Sequence, residues 1–409
     1  MFSWGSDTPK RLVKPELRPC PVEASDLSFL LAPDTFWLES LNLLFFGDDG
    51  SFLHNGFVVA SMPLNKHKVM LNTKYFSPTG HEHHYQNVYK VDALEWTNAG
   101  TSCDMGEGSS FRYGHDKREY TVRFCFDAAP HPVSDSIDDV GGGGGGEQRF
   151  EVALTATADC GQGLRVGDGA VYYDAAKTKF WKNVFYPKMR AEGRVAGRPW
   201  SGHAFMSKVT CNVPMHQISS EAHHFKMYSN DGDHALVMVE QAAPKAYGYE
   251  KYTLGAYVRR GEIVAVTHDN EVRWLRSAAP DGASGYALPA EYEYIWKGTT
   301  IEGGSTHGED GGGGTVPGRA FEARARLRPA RMLSRVDLLA HLPAFIRWVV
   351  QRLIAKPYMF LWLEQDGRDT AGVDTAAVEV TVKIDGKRET IKGVLLHEKH
   401  YINPGTASQ

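Results

Sequence analysis

No stretch of the 409-residue chain approaches the ~18 consecutive apolar residues that a membrane-spanning helix requires. Nor is there an excess of one charge. Lys plus Arg is 45 and Asp plus Glu is 49, a formal charge of -4, too near neutral for a broad basic field on nucleic acid. Cysteine is scarce: Cys20, Cys103, Cys125, Cys160 and Cys211 are odd in number and scattered, unlike a secreted disulfide scaffold. Met1-Phe2-Ser3-Trp4-Gly5-Ser6-Asp7 lacks the charged and apolar regions of a signal peptide. No Asn-x-Ser/Thr sequon occurs. These absences read as a cytoplasmic, reducing location. Catalytic signatures are missing too: there is no Gly-x-Ser-x-Gly elbow, no His-Glu-x-x-His and no Walker sequence. The run Gly141–Gly146 leads into Glu147-Gln148 and a strand pattern, not into Lys-Ser/Thr and a helix. It reads as a hairpin tip, as does Gly311–Gly314, and no cofactor is expected.

What is there is ordinary globular composition, 42% hydrophobic and 23% charged, in a pattern of short strands. Pro9, Pro15, Pro19 and Pro21 make residues 1–26 an extended arm. From Phe36 apolar segments alternate with turn signals, beginning with a hairpin about Gly47-Asp48-Asp49-Gly50. One helical pattern interrupts them. Ser334 with Asp337 resembles a capping box, and Leu338, Leu342, Phe345, Val349 and Leu353 recur at helical spacing, predicting a helix over about 334–356. Pro343 and Pro357 kink or end it. A last hairpin turns at Asp385-Gly386. About twenty strands and one helix predict an all-β fold. Two consecutive antiparallel barrels hide the sheet edges, residues 27–175 and 176–409, with the boundary near Asp174–Lys179.

Particular segments resemble the fungal survival-factor family of oxidative-stress proteins. These are Asp34-Thr35-Phe36-Trp37, the stretch from Phe180-Trp181 to Glu192-Gly193, and Gly202-His203-Ala204-Phe205. Val213-Pro214-Met215-His216 is similar to a Pro-His-His turn, with Met215 in place of its first His. Met238-Val239-Glu240 with Pro244-Lys245-Ala246-Tyr247-Gly248 matches a strand and a Pro-x-x-Tyr-Gly segment. Arg335–Pro343, continuing through Lys356-Pro357-Tyr358 to Leu363, is similar to the C-terminal helix and its aromatic exit. The resemblance implies two lipocalin-like (calycin) barrels. It also implies carriage of a sphingolipid such as ceramide between endomembranes, with peripheral contact at ER or Golgi membranes, and a part in surviving oxidative stress. The family's arm carries an amphipathic helix. Prolines exclude one of comparable length here, leaving Phe2 and Trp4 as the membrane contact.

Small barrels hold side chains or one apolar ligand. Nine Trp, 18 Tyr and 19 Phe suit a core or a lined pocket. Trp181, Phe185 and Tyr186 crowd one segment that alternation cannot bury wholly in one barrel, so they are candidate ligand contacts. The matched segments add Phe205, His216, Met238 and Tyr247. His223 and His224 must face opposite sides of a strand; one points inward, and His224 is taken as the contact. His81-Glu82-His83-His84 is the richest metal-like cluster, yet it sits in a turn with Glu82 opposite its neighbours, and no metal is expected. A second reading is an enzyme, a cyclase, pericyclase or isomerase of natural-product biosynthesis, with His216, Glu240 and Tyr247 as its polar groups.

Overall fold

The computed structural model describes residues 9–30, 36–62, 65–79, 82–126, 149–160, 163–301, 318–329, 332–339, 344–353, 355–365, 367–368, 374–375 and 378–402. Phe2, Trp4, His81 and both glycine runs lie outside the described residues. The chain is all-β and divides into two compact units. One is Arg18–Ala170 with Phe180–Val213; the other is Met1–Leu17, Val171–Lys179 and Pro214–Gln409.

The first unit is a curled antiparallel sheet. Its principal strands are β1 (Trp37–Gly47), β2 (Phe52–Met62), β3 (Asn65–Phe76), β4 (Glu82–Lys90), β5 (Glu95–Thr97) and β6 (Ser102–Asp104). β7 (Ser110–Gly114), β8 (Glu119–Phe126), β9 (Phe150–Ala158), β10 (Phe180–Val195) and β11 (Arg198–Cys211) complete it. They pair in the order β4-β3-β2-β1-β11-β10-β9-β8-β7-β6-β5. Among the described residues no ladder joins β4 to β5. Alternation builds the core: Tyr120, Val122 and Phe124 on β8 and Val152, Leu154 and Ala156 on β9 face Leu41, Leu43 and Phe45 of β1. Pro187 has no N–H for the ladder, and the β10–β11 register shifts between Tyr186 and Met189.

Two expectations need correction here. The sheet boundary falls after Cys211, not near Asp174–Lys179, because β10 and β11 fill the gap between β9 and β1. Aromatic strand content at 180–211 marks a strand without saying which sheet takes it. The arm is not wholly extended either. Ala24–Leu27 forms one helical turn with a reciprocal Glu23–Asp26 cap, just beyond the last proline, Pro21.

The second unit contains a closed barrel. Its strands are β12 (Glu221–Ser229), β13 (His234–Ala242), β14 (Lys251–Arg259), β15 (Glu262–Thr267), β16 (Glu271–Pro280), β17 (Ala287–Thr300) and β18 (Ala320–Leu327). After β19 (Met332–Asp337) come helix α1 (Ala344–Leu353), β20 (Tyr358–Glu364), β21 (Val378–Ile384) and β22 (Lys387–Tyr401). The path β12-β13-β14-β15-β17-β18-β21-β22 closes because β22 pairs back onto β12, from Glu221↔Tyr401 to Ser229↔Gly393. β20 continues along β22 at Tyr358↔Tyr401, and β19 pairs with β20. The helix predicted over about 334–356 is therefore divided. Ser334 to Asp337 is strand, because pairing with Tyr358–Leu361 satisfies its backbone, and the helix starts only after Pro343.

Candidate functional site

Inside the closed barrel, side chains of one parity point inward. Phe225 and Met227 (β12), Leu236 and Met238 (β13), Trp296 (β17), Val380 (β21) and Leu395 (β22) pack into an apolar core. Toward one end the same parity turns polar. β12 continues with His223 and Glu221, β13 with Glu240, β17 with Tyr294 and Tyr292, and β22 with His397, Lys399 and Tyr401. Register brings them together: His223 stands opposite both Glu240 and Lys399, and Phe225 opposite His397. Ring centroids of His397 and Tyr292 lie 4.8 Å apart, those of Tyr292 and Tyr294 5.7 Å, and those of His223 and Tyr292 6.0 Å.

The site divides into paired and unpaired groups. Lys399 Nζ donates to Glu221 Oε2 at 2.5 Å and to His223 Nε2 at 2.9 Å, and lies 4.8 Å from the Tyr401 ring centroid. Lys251 Nζ donates to Glu240 Oε1 at 2.9 Å, and the Val272 amide donates to Oε2 at 3.2 Å. By contrast, His223 Nδ1, both ring nitrogens of His397, and the hydroxyls of Tyr292 and Tyr294 are buried without a hydrogen-bond partner among the described residues. A buried hydrogen bond left unmade costs about 1–3 kcal/mol, so groups like these are ordinarily met by a protein, water or ligand partner.

Burial sets the charge state. Desolvation, with the Lys399 ammonium next, holds His223 well below the usual histidine range. Desolvation brings His397 down to about 3. Both imidazoles are neutral at physiological pH. Lys399 donates to His223 Nε2, so the His223 proton sits on Nδ1 as an unpaired donor. Desolvation also lowers Lys399, opposed by Glu221, and raises Glu240, opposed by Lys251. The unpaired groups are thus neutral, and each of Tyr292, Tyr294 and His397 both donates and accepts.

The residues singled out from sequence distribute unevenly. Glu240 and Met238 lie on the inward face. His224 does not: it faces outward, its ring stacked on His400 at 4.8 Å, and His223 takes the inward position. His216 is half-buried on the short helix Met215–Ile218, outside the cluster. Tyr247 donates its hydroxyl to the Tyr173 carbonyl at 2.6 Å, a structural bond. His216, Glu240 and Tyr247 therefore do not form one catalytic group. Tyr186 lies in the first unit's core, hydroxyl to hydroxyl with Tyr113 at 2.8 Å. Trp181, Phe185 and Phe205 are buried residues of β10 and β11 in that same unit, not of the closed barrel. Among the described residues no group of three or more His, Cys, Asp or Glu converges to hold a metal. Sequence reasoning missed His223, Tyr292, Tyr294, His397 and Lys399. Their signal is polar residues in phase with an apolar inward parity, as in Tyr292-x-Tyr294-x-Trp296 and Leu395-x-His397-x-Lys399.

A family model described as the Svf1 family matches residues 13–403. The chain belongs to the Svf1 family. Among similar relatives are the ceramide-binding protein svf1 of Emericella nidulans, 21% identical over 250 residues, and its namesake in Eremothecium gossypii, 22% identical over 213. The alignments cover 59% and 50% of this chain and 58% and 52% of those proteins, so the chain spans little more than half the length of the curated relatives it matches. The fold is shared with solved lipocalin-like structures. A Nitrosomonas europaea protein described as a candidate AttH superimposes with a TM-score of 0.53 at 11% identity, covering 94% of this chain and 99% of that one. CghA, solved with Sch210972, gives 0.53 at 13% identity, covering 98% and 96%.

Proposed function

We propose that this Svf1-family chain is a lipid-binding and transfer protein whose closed barrel holds an uncharged sphingolipid such as ceramide. The unsatisfied cluster of His223, Tyr292, Tyr294 and His397 carries the reading. A ceramide headgroup offers hydroxyls and an amide, groups that donate and accept without net charge, as the cluster does. A cationic headgroup would meet Lys399, and an anionic one would compete with Glu221 for it. The apolar core below would repack to admit an acyl chain, and Met227 and Met238 suit that, because methionine repacks readily around a guest. Each buried CH₂ contributes ~0.8 kcal/mol, so tight binding needs no catalytic group. The curated relatives named as ceramide-binding proteins support the same substrate class. A cytoplasmic location, peripheral contact with ER or Golgi membranes and a role in oxidative-stress survival complete the proposal.

Lipid extraction from purified protein, followed by mass spectrometry, tests it. Wild type should yield a sphingolipid near one per chain, and a Tyr294→Phe/His397→Phe double variant should yield little. An empty wild-type extract, or equal retention by the folded variant, overturns the assignment. The catalytic reading is second. Its named trio is dispersed, and the likeness to CghA shows the fold alone.

A further inference from the structure

We infer that helix α1 is a membrane-docking element whose partner is an anionic lipid surface. The helix Ala344-Phe345-Ile346-Arg347-Trp348-Val349-Val350-Gln351-Arg352-Leu353 carries two arginines and no acidic residue. One side is tied down: Gln351 Nε2 donates to Asp337 Oδ2 at 3.0 Å, and Arg347 lies 3.8 Å from the same carboxylate. Phe345, Trp348 and Arg352, at i, i+3 and i+7, lie on another face. Phe345 is 75% exposed, the most exposed large apolar side chain among the described residues, and Trp348 is 57% exposed. Their rings stack at 6.4 Å, and the Arg352 guanidinium lies 5.7 Å from the Trp348 ring. Leu338, beside Asp337, is a further exposed apolar residue.

Two stacked aromatics in water with a guanidinium against them are poorly placed for solvent and well placed for the headgroup boundary. There the rings enter the acyl edge and arginine meets lipid phosphate. Charge complementarity selects the occupant, a surface rich in acidic lipid. The position fits a carrier. β20 follows the helix and pairs with β22 at Tyr358↔Tyr401, Phe360↔Lys399 and Trp362↔His397, the polar end of the barrel. Docking through α1 would therefore hold that end, where the headgroup site lies, toward the bilayer. The contact itself stands without the ceramide assignment; its use in loading rests on it.

Flotation of the full chain tests the inference. The vesicles are phosphatidylcholine alone or phosphatidylcholine with about 30% phosphatidylserine. Wild type should float with the mixed vesicles and much less with the neutral ones, and high salt should weaken it. A Phe345→Ser/Trp348→Ser variant should partition about tenfold less or weaker still, and Arg352→Glu should also lose binding. Both variants should keep fluorescent ceramide binding in detergent-free solution, which separates failure of this contact from failure of the binding site. Undiminished flotation of the aromatic variant, or no binding by wild type, overturns the inference. So does wild-type self-association abolished by the same substitutions, which would make a second copy the occupant.

Discussion

Among the described residues neither ring nitrogen of His397 finds a hydrogen-bond partner, and the side chain is fully buried against the rings of Tyr292 and Trp362. His397→Phe should therefore stabilise the ligand-free protein by about 1 kcal/mol at neutral pH, while ligand retention falls. The acid response gives a second signature of the same variant. The folded pKa of His397, about 3, lies below the unfolded value, near 6.5, so the unfolded chain takes up a proton first. Stability is complete above about 6.5 and is lost as pH falls toward 3. Between pH of about 7.5 and about 5.5, the His397→Phe variant should lose about 1.4 kcal/mol less stability than wild type. Urea unfolding at the two pH values checks both parts; equal losses would place His397 in water. At this scale the sequence was only half legible. Alternation shows that His223 and His224 oppose each other, but which one faces inward depends on pairing with Lys399, 176 residues away. The local parity His223-x-Phe225-x-Met227 favours His223, but the partner that holds it there is not local.

Elements were easier to foresee than their partners. The alternation of Val378, Val380 and Val382 and the Asp385-Gly386 turn specify a hairpin locally, and β21 and β22 form it. The segment from Ser334 misleads because its helical spacing and capping pair are real as sequence. Pairing with β20 offers the backbone more than an isolated turn before Pro343 could. Closure of the barrel rests on the β12–β22 seam, where the strands meet closely at Gly393. A Cβ there would lie 1.9 Å from the Tyr228 carbonyl oxygen. Gly393→Ala should therefore cost about 1–3 kcal/mol, read by chemical denaturation. Gly282→Ala, where nothing lies within 4 Å, serves as the neutral control; equal effects would mean the seam yields freely.

For the whole chain, composition already gave all-β architecture and two barrels, because short strands and turn residues recur from Phe36 to the last hairpin. The partition between the two sheets was not legible. β10 and β11 lie beyond the boundary expected near Asp174–Lys179, yet belong to the first sheet. Nor could sequence say which barrel carries the site. The first sheet pairs its inner Tyr113 and Tyr186 hydroxyls with each other and leaves unpaired buried polar atoms only at scattered places among the described residues, Asn55 Nδ2 and Trp96 Nε1 among them, whereas the second gathers His223, Tyr292, Tyr294 and His397 at one end of its barrel. That contrast is what supports placing the proposed ligand in the second unit. The decisive measurement is photo-crosslinking of the full chain with a ceramide bearing its photoreactive group beside the amide, with adducts mapped by mass spectrometry. Adducts competed by unlabelled ceramide should concentrate in peptides from Ala287–Thr300 and Lys387–Tyr401; competed adducts confined to Arg18–Val213 would contradict the account.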